Sequence, residues 1–188
     1  MGKTMIKVVF VFLCALMVSS AWAQEQIPEK PKVLVVYYSR EGHTKQVAQE
    51  LAKKFNADLE QLIDKKKRIG PIAFSAAGKD AVAGNLTKLE PLTHDPQQYE
   101  IILIGTPSWF GNVTPAVRTF ITQHDLSKKR IGVFGTTHLT GVENALSQAA
   151  TLLAPDRAGE IPSLPLRHRD LVPEVLPSKI DAFYQQLK

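Results

Sequence analysis

Apolar residues fall along this chain in short unbroken runs, separated by stretches in which they recur every three or four positions. Residues 33–38, 101–104 and 131–134 are too short for helices and lack the polar alternation of a half-exposed strand, which predicts strands covered on both faces of a sheet. Residues 44–55 place Val47, Ala48, Leu51, Ala52 and Phe55 on one helical face. Further helices are predicted over 115–124, 142–153 and 176–187, with a weak one over 72–83. A short strand is expected at 58–63 and a fifth at 159–166, where Pro162 and Pro165 suit an edge better than an interior position. Strands alternating with helices imply parallel pairing through right-handed crossovers, hence an α/β, doubly wound, five-stranded parallel sheet in a three-layer α/β/α sandwich.

Two strand exits carry the chemistry. After residues 33–38 comes Ser39-Arg40-Glu41-Gly42-His43-Thr44, directly before a helix. Hydroxyls and backbone N–H groups at a helix start form a cradle for an anion, and the helix dipole favours negative charge there. The turn lacks both the three glycines of the dinucleotide fingerprint and the Gly-Lys-Ser/Thr of the P-loop, so it suggests a monophosphate. The bland alternative is a plain strand-to-helix connection with a hydroxyl cap. After residues 101–104 comes Gly105-Thr106-Pro107-Ser108-Trp109-Phe110-Gly111-Asn112, a loop with adjacent aromatics that suits a flat ring. Its alternative is that Trp109 and Phe110 are core aromatics.

Tyr-Tyr-Ser-Arg-Glu-Gly-His-Thr and Gly-Thr-Pro-Ser-Trp-Phe-Gly-Asn together resemble the flavodoxin-like FMN proteins, from residue 32 to the C-terminus. Phe110-Gly111-Asn112, with Arg118-Thr119-Phe120 downstream, is similar to the tryptophan-repressor-binding-protein type of NAD(P)H:quinone oxidoreductase. The resemblance implies strand order 2-1-3-4-5, with the ligand where the winding reverses, at the carboxyl ends of strands one and three. Those are the two strands that the notable turns follow. It implies FMN as cofactor, with Ser39, Gly42, His43 and Thr44 on the phosphate and Arg40 and Glu41 supplying mainly backbone amides. Thr106 to Asn112, which includes Pro107, Ser108 and Gly111, would wrap the ring, with Trp109 or Phe110 covering a face. The third turn, Gly135 to Gly141, would approach the ring from its other side. There Thr136, Thr137, His138 and Gly141 are the candidates, with His138 as a possible proton donor to a reduced quinone. The acceptor implied is a quinone or a redox protein partner, with NAD(P)H as a candidate donor. The alternatives are a flavodoxin-type electron carrier between proteins and a flavin-free binding module on the same fold.

Residues 1–23 read as a secretory signal: Lys3 and Lys7, an apolar centre over 8–18, and the small-x-small site Ala21-Trp22-Ala23. Cleavage after Ala23 would place the protein in the periplasm or outside the cell, with no membrane span remaining; an uncleaved anchor is the alternative. Residues 24–31 form a linker and 32–188 the domain. The one cysteine, Cys14, lies in the leader, so the remainder has neither disulfides nor thiolate chemistry. The formal charge of +5 falls to +3 without the leader's two lysines. That departs from the acidic character of shuttle flavodoxins, and it is too small for a nucleic-acid partner. The leader has no twin arginine, so the chain would cross unfolded and acquire FMN outside the cytoplasm, where a membrane quinol or a protein suits as reductant better than a soluble nicotinamide. Lys65-Lys66-Lys67-Arg68 reads as a solvated loop. His94, His124 and His168 have no cysteine or carboxylate spacing that suggests a metal site.

Overall fold

Five parallel strands form one sheet in the order β2-β1-β3-β4-β5: β1 Val33–Tyr37, β2 Asp58–Gln61, β3 Ile101–Pro107, β4 Arg130–Thr137 and β5 Ser163–Arg167. The computed structural model describes residues 30–68 and 71–188. The leader, Cys14 and most of the 24–31 linker lie outside the described residues. Among the described residues no helix is long and apolar enough to cross a membrane.

Alternation along the central strands sorts the core into two halves. Val33, Val35, Tyr37, Ile101 and Leu103 face α1 (His43–Phe55) and α5 (Leu176–Leu187), meeting Val47, Leu51, Ile180 and Phe183. Leu34, Val36, Ile102 and Ile104 face the opposite way, toward α2 (Pro71–Val82), α3 (Pro115–Gln123) and α4 (Val142–Leu153), meeting Ala77, Val117, Phe120 and Leu146. Helices on both faces are what the unbroken apolar runs require. The 2-1-3-4-5 order expected for the doubly wound sheet is the one observed.

Boundaries differ at three places. β3 and β4 run on to Pro107 and Thr137, so Thr106, Pro107, Thr136 and Thr137 are strand ends rather than loop. In sequence Gly105 and Gly135 read as loop starters, yet both are packing glycines. A Cβ at Gly105 would lie 2.2 Å from the Phe134 ring, and one at Gly135 would lie 2.8 Å from Val142, so the missing side chains make room for these neighbours while pairing continues. The start of β5 shifts from 159 to Ser163, because Pro155–Glu160 winds into 3-10 turns; Pro165 is in the sheet, tolerated on its edge. β2 ends at Gln61, after which Asp64 bridges to Leu89.

Candidate functional site

β1, β3 and β4 lie side by side, so their carboxyl ends deliver three turns to one rim of the sheet. Between these turns is a cleft of about 570 Å³ lined by Ser39 to Glu41, His43, Thr44, Pro107 to Gly111 and Thr136 to Gly141. Pockets of this size accept a mononucleotide-sized ligand.

The first turn closes on itself when the Gly42 N–H donates to Ser39 Oγ at 3.1 Å. Gly42 sits at φ 97°, a left-handed conformation that a side chain would strain, and it is the residue before α1. The first amide with a helical acceptor is that of Gln46, bonded to Gly42 O at 2.9 Å. The N–H groups of His43, Thr44 and Lys45 precede it, and no side chain caps them. An anion at this end of the cleft would satisfy them. Thr44 is buried, with its Oγ1 2.8 Å from Thr136 Oγ1, which joins the first and third turns.

The second turn is a two-residue hairpin. Trp109 and Asn112 exchange both backbone hydrogen bonds at 3.0 Å, with Phe110 at φ 51° and Gly111 at φ 76° between them. Positive φ at both central positions gives the tightest reversal, and a bulky residue there is strained. The two aromatics have separate fates. Trp109 is 5% exposed, edge-on to Tyr38 at 5.5 Å, so it forms a wall of the cleft and part of the core at once. Phe110 is 66% exposed, its ring against Gly78 of α2. Ser108 ties this turn to the third, through its N–H to Thr136 O at 2.8 Å and its Oγ–H to Gly141 O at 3.0 Å.

Three of the expected residues do not line the cleft. Gly42 shapes the backbone only. Thr106 is buried, its hydroxyl donating to Pro107 O and accepting from Thr114 N. Asn112 turns toward α4, where Gln148 Nε2 donates to its Oδ1 at 2.8 Å and Arg118 in turn holds Gln148. Leu139 and Thr140, which belong to the third turn but were not among its candidates, also line the cleft.

The basic run departs most from expectation. Lys65 and Lys66 are exposed, but the Arg68 side chain is 4% exposed and paired with Asp64 at 2.6 Å and Asp80 at 2.7 Å. Its guanidinium lies 5.8 Å from the Trp109 ring centre. Asp64 also accepts from Thr87, and Asp80 from Lys66 and Asn85, so one ionic cluster holds the segment between β2 and β3 behind the second turn. Lys66, Arg68 and Asn85 hold the Asp80 carboxyl well below the usual range. Burial, reinforced by Asp64, pushes the Tyr38 phenol up.

At the outer rim Glu41 pairs with Arg40 and approaches His138 Nε2 at 3.2 Å. The Arg40 bond, then that of His138, holds its carboxyl below the usual range. Burial, then the imidazoles of His138 and His168, lowers His43.

A protein-family model described as flavodoxin matches residues 32–156. Among solved structures, a flavoprotein in complex with FMN from Lactobacillus acidophilus is 19% identical, with a TM-score of 0.62 over 82% of this chain and 99% of that one. A WrbA-like flavodoxin from Agrobacterium tumefaciens is 16% identical, with a TM-score of 0.56 over 84% and 95%. The apo form of an NADH:FMN oxidoreductase is also 16% identical, with a TM-score of 0.50 over 84% and 90%. At these identities the likeness is one of fold.

Proposed function

The chain belongs to the flavodoxin family, and on that footing we propose that it is an exported FMN-binding oxidoreductase that delivers electrons to a quinone or a similar acceptor. The observation that carries this reading is the convergence of three strand exits on one cleft, with a helix start suited to an anion at one part and aromatic walls at another. FMN, when bound, supplies the redox chemistry itself; the protein supplies binding, orientation and electrostatics.

In this reading the phosphate takes the N–H groups at the start of α1 together with the hydroxyl of Thr44, while Ser39 holds Gly42 in the conformation the turn needs. Trp109 gives one wall of the ring site, and the exposed Phe110 lies at its mouth, where an incoming acceptor would meet it. The Thr137 hydroxyl donates to Thr140 O, which closes the third turn beside the part of the cleft where the ring's polar edge would lie. Hydrogen bonds at that edge are the lever by which a protein sets a flavin's potential.

The test is steady-state turnover of FMN-reconstituted protein with NADH, NADPH or a quinol as donor and a soluble quinone as acceptor. Sustained quinone reduction with any of these donors supports the oxidoreductase reading. Reduction that requires a second redox protein and never a small molecule would replace it with a carrier between proteins.

A further inference from the structure

Three imidazoles and a carboxylate come together at the outer rim of the cleft, brought there by three parts of the fold. Glu41 and His43 come from the entry to α1, His138 from the turn after β4, and His168 from the single 3-10 turn that follows β5. The ring centres are 4.8 Å apart for His43 and His138, 4.8 Å for His43 and His168, and 5.3 Å for His138 and His168. An ion held by ring nitrogens at about 2.1 Å sits about 3.2 Å from each ring centre, and tetrahedral angles then separate the centres by about 5.2 Å. The observed separations bracket that value.

Donor atoms of Glu41, His43 and His138 already lie within 4.8 Å of one another. A tetrahedral site needs about 3.4 Å between donors. The Glu41 and His138 side chains are 47% and 59% exposed, which leaves them room to turn onto a common ion, and His168, outside this group of three, would have to turn with them. Arg40 holds Oε1 of Glu41 and leaves Oε2 directed at His138, an outer-partner arrangement that orients a carboxylate ligand. We propose that His43, His138 and His168, with Glu41, form a site for one divalent transition ion of the zinc type at the rim of the cleft. Three imidazole nitrogens and one carboxylate oxygen select zinc or copper over magnesium or calcium. The assignment gives His138 to an ion rather than to proton transfer. It does not depend on the flavin reading, although Glu41, His43 and His138 also line the cleft and only His168 lies off it.

The experiment uses the full chain without an affinity tag, FMN-loaded and FMN-free. Zinc affinity is measured by competition with a chromophoric chelator, and coordination by the visible spectrum of the Co(II)-substituted protein. The expected result is one zinc ion per chain and the intense absorption of four-coordinate Co(II). H168A and H138A should each weaken zinc binding at least about tenfold, whereas H168A keeps the parent's FMN affinity, which also shows that it is folded; H168Q serves in its place if it is not. Three results would overturn the site: no stoichiometric zinc, the weak spectrum of six-coordinate Co(II), or H168A binding zinc as tightly as the parent. Loss of FMN affinity in folded H168A, with zinc binding unchanged, would assign the imidazoles to the phosphate instead. Failure of FMN to bind any variant, with zinc retained, would sink the flavin reading and leave this one standing.

Discussion

Gly141 is where the second and third turns touch, and replacing it with alanine separates two effects that the structure holds apart. Its φ is 85°, and an added Cβ would lie 2.8 Å from Gly111 Cα and 3.3 Å from Gly111 N, both backbone atoms that cannot swing away. Gly42 has a comparable φ of 97° with nothing within 4 Å of an added Cβ, and Gly159 has neither a positive φ nor a neighbour. A side chain at positive φ costs about 1–2 kcal/mol, partly offset by the lower entropy of the unfolded chain. Overpacking against a fixed neighbour adds about 1–3 kcal/mol. G42A should therefore lose about 1 kcal/mol, G141A about 2–4, and G159A less than about 0.5. At about 2–4 °C per kcal/mol for a domain of this size, the melting temperature of G141A should fall by about 4–16 °C, and that of G42A by about 2–4 °C. The same push spreads the turns that flank the ring site, so G141A should also bind FMN at least about tenfold more weakly by fluorescence quenching, a loss of about 1.4 kcal/mol. If G141A melts and binds like the parent, the two turns do not meet as described.

R68A removes the partner of an Asp64 carboxylate whose side chain is 3% exposed, and breaking a buried pair costs about 3–5 kcal/mol. Thr87 and the Lys66 amide still serve Asp64, so urea unfolding should show a loss near 3 kcal/mol, and a loss under about 1 would mean that the cluster is solvated. The depressed Asp80 pKa makes the folded state hold this proton less tightly than the unfolded chain does. Its contribution is thus complete above the ordinary carboxylate range near pH 4 and drains away as pH falls below it. D80N should accordingly have a flatter acid limb in a stability-versus-pH series than the parent, and parallel limbs would contradict this. T44V strands the Thr136 hydroxyl at a buried contact and should cost about 1–2 kcal/mol, while T44V/T136V recovers most of it; additive losses in the double-mutant cycle would show that the 2.8 Å contact is not a hydrogen bond.

How much of this could be read from the chain follows from the range of the forces involved. Residues 33–38 and 101–104 declare themselves because a strand covered on both faces admits no polar position, and the hydroxyl turn is legible because local backbone chemistry alone makes it. The ends of β3 and β4 were hidden because Gly105 and Gly135 serve packing, and nothing in their immediate neighbours tells a packing glycine from a turn glycine. Arg68 reads as one more solvated cation until Asp80, 12 positions on, closes over it. His168 lies 125 residues beyond His43, and only the order of β1, β3, β4 and β5 in the sheet brings the two together. Asn112 stands in the ring-wrapping motif, yet its side chain accepts from Gln148, 36 positions on, across the short hairpin. Long-range topology decides each of these positions, and sequence periodicity carries only local information.

If the helix start behind Gly42 receives the phosphate of FMN while the turns after β3 and β4 hold its ring, the phosphate must carry much of the affinity. Titration of the flavin-free protein with FMN and, separately, with riboflavin, following flavin fluorescence at fixed ionic strength, measures that share. FMN should bind at one site per chain, with riboflavin at least about a hundredfold weaker, a difference of about 2.7 kcal/mol carried by the phosphate alone. Equal affinity for the two would show that the helix start does not hold the phosphate, and binding of neither would show that the cleft is not a flavin site.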